Sequence, residues 1–202
     1  MTGHQDRLWL GDDGVATGNT HPMAYAYDLP GRTRAAADFE LREYIDADFN
    51  VAGVNSNRGM ATDGNYLWVA DATSVVQAFR LFDDPDTPEN DYGTNDTGRD
   101  LDFDDNGDSF RPFGLFTDGA TMWAVATGET TAKALNLADG TRNTAAKFTL
   151  RTDNAIPYGI WSNAITMFVL DNADHKIYTY RIGDVEVSGA VVGGVAHVSA
   201  GG

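Results

Sequence analysis

An all-β fold assembled from about four four-stranded units is what the sequence predicts, and three observations carry the prediction. A fifteen-residue stretch occurs three times without a gap: NRGMATDGNYLWVAD at Asn57–Asp71, PFGLFTDGATMWAVA at Pro112–Ala126 and PYGIWSNAITMFVLD at Pro157–Asp171. Gly59, Gly114 and Gly159 coincide, as do Thr62, Thr117 and Ser162, and Trp68, Trp123 and Phe168. Each copy is followed by a short run of alternating apolar residues, the signal of a half-buried strand. The third observation is spacing: 55 residues from Trp68 to Trp123 and 45 from Trp123 to Phe168, near the length of one four-stranded repeat unit.

Taken in order, the strands fall into four types, A to D. Leu8–Leu10 stands where a type B tryptophan strand belongs, and Ala24–Leu29 (AYAYDL) is a type C strand. Val75–Leu81, Ala132–Leu137 and Lys176–Ile182 are the other C strands. In the last of these, Tyr178, Tyr180 and Ile182 alternate with Ile177, Thr179 and Arg181. Asp38–Arg42, Leu101–Asp104 and Lys147–Arg151 form type D. Within each fifteen-residue copy, strands A and B are joined by a tight turn. Thr62–Gly64 and Thr117–Gly119 supply Thr-Asp-Gly there, because Asp and Gly tolerate the left-handed backbone region. The first unit lacks an A strand and the last lacks a D strand. Two apolar runs follow Ile182, at Val185–Val192 and Val195–Ser199. The expectation is that the tail closes a ring, with Val185–Val192 beside Lys176–Ile182 and Val195–Ser199 beside Leu8–Leu10. Closure would remove unpaired sheet edges. The expected organisation is one domain over 1–202, with repeats 8–56, 57–111, 112–156 and 157–182 and closing strands in 183–202.

Composition narrows the function. With 42% hydrophobic residues the chain has enough apolar material for a core. A formal net charge of −16 argues against nucleic acid or an anionic membrane as partner. Of the 30 acids, 25 are Asp, which suits turns where a short carboxylate bonds nearby backbone amides. There is no cysteine, hence no disulfide and no thiolate metal site. No run of eighteen apolar residues is present, so no spanning helix is expected, and the start MTGHQDRLWLGDD carries no basic-then-apolar leader.

The pattern P-x-G-[ILM]-x-[ST]-[DN]-[GA]-x-x-[LM]-[WF]-[VA], followed by a KIYTYRI-type strand, resembles bacterial surface-protein β-propeller repeats reading roughly W-S-D-G-T-T-M-W-V-A-D. It is more distantly similar to NHL and gluconolactonase-type blades. The resemblance spans Leu8 to Ile182 and implies a β-propeller of about four four-stranded blades, closed by the tail or forming an arc of a larger ring. It also implies an extracellular or cell-surface setting. In the metal-dependent lactonases that such blades resemble, an Asn before the strand-A glycine and an Asp ending strand B would bind the metal. Here the pre-glycine residues are Arg58, Phe113 and Tyr158, and strand B ends in Asp71, Ala126 and Asp171. The lactonase reading therefore ranks third.

A binding module for a glycan or a peptide ranks first, ahead of a structural repeat segment of a larger surface protein. Its ligand residues are expected on two long connections sharing one face, Gly11–Pro22 and Glu43–Asn57, because long loops on a rigid scaffold carry function. The candidates are Asp12, Asp13, Asn19, His21, Tyr44, Asp46, Asp48, Asn50, Asn55, Asn57 and Arg58; the alternative is that these are solvated loops. A third connection, Phe82–Arg99, is long on the opposite face. The segment DLDFDDNGD places Asp100, Asp102, Asp104 and Asp108 close together, as in a calcium loop. Counted from Asp102, where Asp104, Asn106 and Gly107 match the first half of such a loop, the bidentate Glu expected at position twelve is Phe113. Counted from Asp100 the Gly falls late, and strand alternation would put Leu101 and Phe103 inward with the acids outward. Calcium is the one cofactor considered, and no catalytic motif is present. The four histidines, His4, His21, His175 and His197, lack ligand spacing, and His175 is expected exposed at a strand end.

Overall fold

A computed structural model describes residues 2–4, 7–12, 23–28, 41–45, 58–81, 93–104, 107–181 and 190–191, the first four segments and the last as backbone strands. These residues form sixteen β-strands and no helix. The strands make four antiparallel four-stranded sheets, ordered β1-β2-β3-β4, β5-β6-β7-β8, β9-β10-β11-β12 and β13-β14-β15-β16. Every sheet is a simple meander, because each connection joins neighbouring antiparallel strands. The backbone divides into two compact units, Met1–Asp102 and Phe103–Gly202, with two sheets in each.

In the first sheet, β1 is Thr2–His4, β2 Arg7–Asp12, β3 Met23–Asp28 and β4 Leu41–Ile45. Two sequence expectations change here. The A strand is Thr2–His4, which pairs with Arg7–Trp9 through Thr2↔Trp9, Gly3↔Leu8 and His4↔Arg7; the tail is not needed to supply it. Thr-Gly-His carries no apolar alternation, so only backbone pairing reveals it as a strand. The described D strand is Leu41–Ile45, which overlaps the expected Asp38–Arg42 at Leu41 and Arg42 and continues to Ile45, with Tyr25↔Tyr44 and Ala24↔Ile45 in register after an irregularity at Ala26/Tyr27. Residues 38–40 and 195–199 lie outside the described residues.

The second sheet comprises β5 (Gly59–Thr62), β6 (Tyr66–Ala70), β7 (Val75–Arg80) and β8 (Leu101–Asp102). Within the same unit, β5 runs beside β1 and β2. In the third sheet β9 is Gly114–Thr117, β10 Thr121–Val125, β11 Thr131–Asn136 and β12 Phe148–Thr149. The fourth holds β13 (Pro157–Ser162), β14 (Thr166–Asp171), β15 (Ile177–Arg181) and β16 (Ala190–Val191). Ala190 and Val191 pair with Tyr178 and Ile177. The expected last D strand from the tail is therefore present at its two described residues, Ala190 and Val191.

The A–B turns explain the Thr-Asp-Gly repeat atom by atom. Thr117 Oγ1 donates to the Thr121 carbonyl at 2.8 Å and accepts from the Gly119 amide at 3.0 Å, while Asp118 Oδ1 accepts from the amides of Ala120 and Thr121. Thr62 and Asp63 make the same four bonds. Ser162 and Asn163 keep three of them. Gly64 and Gly119 sit at φ 93° and 91°, and the third copy forces Ala164 to 74°.

The repeated tryptophans are core, as the repeat predicts. Trp123 is 4% exposed and lies in a cluster with Val125 and Ala134 from the third sheet, Leu150 just after it, and Ile160, Met167, Val169, Tyr178 and Tyr180 from the fourth. The indole N–H has a partner that sequence alone does not show. Trp123 Nε1 donates to the Ala146 carbonyl at 2.9 Å, and Trp68 Nε1 to the Arg99 carbonyl at 3.4 Å. Each tryptophan thereby pins the segment leading into its D strand, so that burying the ring leaves no polar atom unpaired. The strand-A glycine has a steric cause as well. A Cβ on Gly114 would stand 2.9 Å from Gly159 Cα and from the Tyr158 carbonyl oxygen, so neighbouring A strands approach more closely than any side chain permits.

Candidate functional site

Strand registers fix where the long connections leave the scaffold. Asp12 ends β2 opposite Met23, which begins β3, and Ile45 ends β4 opposite Ala24. Both long connections of the first repeat, 13–22 and the one after Ile45, therefore depart from one end of the first sheet. The second sheet begins from its corresponding end, where the Arg58 amide donates to the Ala70 carbonyl at 2.9 Å.

Among the expected ligand residues, Asp12 belongs to β2 and Tyr44 to β4, so neither lies in a loop, and the connections are shorter than Gly11–Pro22 and Glu43–Asn57. Ladder pairing extends both strands past their apolar core. Arg58 is half-buried at the start of the second sheet. Asp13, Asn19, His21, Asp46, Asp48, Asn50, Asn55 and Asn57 lie outside the described residues.

The acidic segment divides into separately engaged groups. Asp100 does not point outward as strand alternation predicts: its Oδ1 accepts from the Ala78 amide at 2.8 Å and from Asn95 Nδ2 at 3.1 Å. Burial pushes this carboxyl above its ordinary range, against those two hydrogen bonds. Asp102 is exposed on β8, while Leu101 and Phe103 are buried as expected. Asp104 Oδ1 accepts from the Gly107 amide at 2.6 Å. Asp108 pairs with Lys133 Nζ, which also donates to the Phe103 carbonyl at 3.0 Å and lies 4.5 Å from the Phe110 ring centre. Among the described residues, no group of three or more His, Asp or Glu could hold a metal ion.

The strand-B aspartates also have structural partners. Asp171 is fully buried; its Oδ2 accepts from the Ile156 amide at 3.0 Å, and its Oδ1 from the amides of Ala173 and Asp174. One carboxylate thus ties the B–C turn to the connection that enters the fourth sheet. Asp71 Oδ1 accepts from the Thr73 amide at 2.5 Å. His175 is exposed, as expected. Its φ of 57° places it in the turn before β15.

A polar cluster that sequence reasoning missed lies nearby. Tyr178 Oη donates to Asp174 Oδ2 at 2.7 Å, and Lys176 Nζ donates to the same oxygen at 2.6 Å. Arg151 holds Asp153 through two bonds at 2.8 and 3.0 Å. Tyr180 Oη accepts from the Arg151 amide and from the buried Asn154 Nδ2, and burial raises its pKa. The signal was the two tyrosines alternating in one strand, each with a polar end that must find a partner when its ring is buried.

No family model matches the chain, and no curated protein does. Solved structures are similar at the level of fold. A nidogen/laminin complex matches 87% of this chain and 56% of that chain at 16% identity, with a TM-score of 0.52. The glutaminyl cyclase of Myxococcus xanthus matches 81% of this chain and 66% of that one at 10% identity, TM-score 0.53. A computationally designed protein, Ika4, matches 90% of this chain and 89% of its own at 10% identity, TM-score 0.51. The chain spans between about half and two thirds of the length of the two natural neighbours. Its fold is all-β and propeller-like.

Proposed function

We propose that this chain is a propeller-like, non-catalytic binding module of a secreted or cell-surface protein. Each four-stranded sheet serves as one blade, four in all, and a glycan or peptide is taken at the end where the B–C and D–A connections open. The observation that carries this reading is the shared departure of two long Asp- and Asn-rich connections from one end of the first sheet. Polar loops on a rigid scaffold supply the hydrogen-bonding groups that such ligands need. A glycan and peptide array, run with and without calcium, tests it. Binding should be lost on Asn55→Ala or Arg58→Ala while the circular dichroism spectrum stays that of the parent. An array with no hits for the folded protein would remove the reading. If calcium takes part, it should raise the melting temperature by mass action, and Asp104→Ala should abolish the rise.

A structural segment of a larger assembly is the second reading. It is favoured by the exposed apolar residues of the fourth sheet, among them Trp161 and Leu170.

A further inference from the structure

The residue before each strand-A glycine stands where strand A begins, at the end reached by the D–A and B–C connections. In the third sheet the Phe113 amide donates to the Val125 carbonyl at 2.8 Å. In the fourth, Pro157 pairs with Asp171, the last residue of strand B. These two A strands run close together, because a Cβ on Gly114 would stand 2.9 Å from Gly159 Cα. One residue earlier, the same approach brings the rings of Phe113 and Tyr158 to 4.9 Å between centres, tilted by 43°. Phe113 is half-buried and Tyr158 is 43% exposed, so the pair forms a ledge whose outer ring meets solvent.

Two further features hold this ledge in place. The register of β13 shifts between Pro157 and Gly159, so Tyr158 is the extra residue of a β-bulge, a device that re-aims a side chain. The connection entering the sheet is fastened just before it. Asp171 Oδ2 accepts from the Ile156 amide at 3.0 Å, and the Ile156 carbonyl accepts from the Asn172 amide at 2.9 Å. Tyr158 is thus two residues from a doubly bonded anchor, while its ring takes no part in the core cluster of the two sheets. A large aromatic ring kept in solvent on a fixed backbone is the kind of group that anchors a ligand.

We propose that Phe113 and Tyr158 form a stacking platform for a neutral saccharide, which rests on the binding-module reading above and narrows it to one ligand class. The apolar C–H face of a sugar packs on an aromatic ring, while its hydroxyls exchange hydrogen bonds with polar groups at the rim. The Tyr158 hydroxyl is one such group. Charge and space set aside the alternatives. An ammonium ligand gains from a strongly negative field, yet residues 103–202 hold 11 acids against 7 bases, while residues 1–102 hold 19 against 7. Neither balance attracts an anion. A peptide bound as an added strand needs a free sheet edge, and the two A strands at the ledge stand too close for another backbone to pass between them.

An array of neutral and anionic oligosaccharides, printed beside a peptide array and probed with the whole chain, tests the platform. The parent should bind neutral glycans. Tyr158→Ala and Phe113→Leu should each weaken that binding by about tenfold or more. Tyr158→Leu keeps apolar bulk without the ring face and should fail as Tyr158→Ala does, whereas Tyr158→Trp should bind more strongly than Tyr158→Leu. Each variant is checked for the parent's β-sheet spectrum; if Phe113→Leu loses it, the three Tyr158 variants decide, because that ring lies outside the core. Neutral-glycan binding that survives the loss of the Tyr158 ring would overturn the platform and leave the binding module standing. Binding confined to peptides or to anionic glycans would do the same. A folded parent with no hit of any kind would overturn both.

Discussion

The third and fourth sheets are built from the same fifteen-residue text and end up in different circumstances. Strand β10 is buried at all five positions, whereas β14 reads half-buried, buried, half-buried, buried, exposed and buried. Trp123 and Phe168 occupy one repeat position, yet the first is core and the second is half-buried beside an exposed Trp161. The repeat therefore encodes a sheet with two apolar faces, and the neighbours decide whether both are used. No sheet of this kind completes its own core.

Truncation should expose that difference most strongly. Trp123→Ala removes a buried ring and its bond to the Ala146 carbonyl, and should cost about 3–5 kcal/mol in chemical denaturation. Trp161→Ala removes a ring already more than half in solvent, and should cost less than about 1 kcal/mol. Equal losses at the two sites would mean that the Trp161 ring is buried in solution.

Glycine substitution sharpens the same contrast at a smaller scale. Gly114→Ala forces a methyl group against backbone that cannot rotate away, with an expected cost of about 1–3 kcal/mol. Gly159→Ala meets no such wall, and its reduced unfolded-state entropy should leave stability unchanged or raised by about 0.4–1 kcal/mol. The melting temperatures of the two variants, measured side by side, should move in different directions or by clearly different amounts.

The A–B turns provide a third pair. Gly119 has φ 91° and Ala164 has φ 74° in equivalent turns. A Cβ in the left-handed region costs roughly 1–2 kcal/mol, so Gly119→Ala should destabilise and Ala164→Gly should stabilise. If Ala164→Gly leaves the denaturation midpoint unmoved, the turn does not hold that backbone angle in solution.

Much of this fold was legible because its signals are local and repeated. Period-two alternation located the B and C strands, and the Thr-Asp-Gly text named its turns. What escaped had no side-chain pattern to betray it. Thr2–His4 is a strand by ladder pairing alone, and Leu41–Ile45 extends beyond the apolar pair that suggested Asp38–Arg42. The candidate site was less legible because a carboxylate's type does not reveal what holds it. Asp171 and Asp100 match ligand patterns in sequence and are occupied by backbone amides in the structure. Glycine carried the least visible information: its repeat position is plain, but the approaching strand that requires it is a matter of tertiary packing.

The smallest effect concerns acid. Equivalent register positions in the two sheets hold Lys133, opposite Ala124, and Tyr178, opposite Val169. Each reaches a nearby carboxylate: Asp108 for the lysine and Asp174 for the tyrosine. Around Asp174, the Lys176 ammonium first and the Tyr178 hydroxyl and Lys176 amide after it hold the carboxyl below its ordinary range. Its folded-state pKa lies below the unfolded one, so the unfolded chain takes up the proton first as pH falls. The stabilisation is therefore present above about pH 4 and is lost as pH drops through the folded-state value. Asp153, held low chiefly by Arg151, adds in the same direction. Both groups are exposed enough for solvent and salt to screen them, which keeps the contribution small. Denaturation midpoints followed from neutral pH into acid should fall less steeply for Asp174→Asn than for the parent, and less steeply again with Asp153→Asn added. The contrast should shrink in high salt; identical acid limbs at low salt would show that the tyrosine–lysine clasp does not persist in solution.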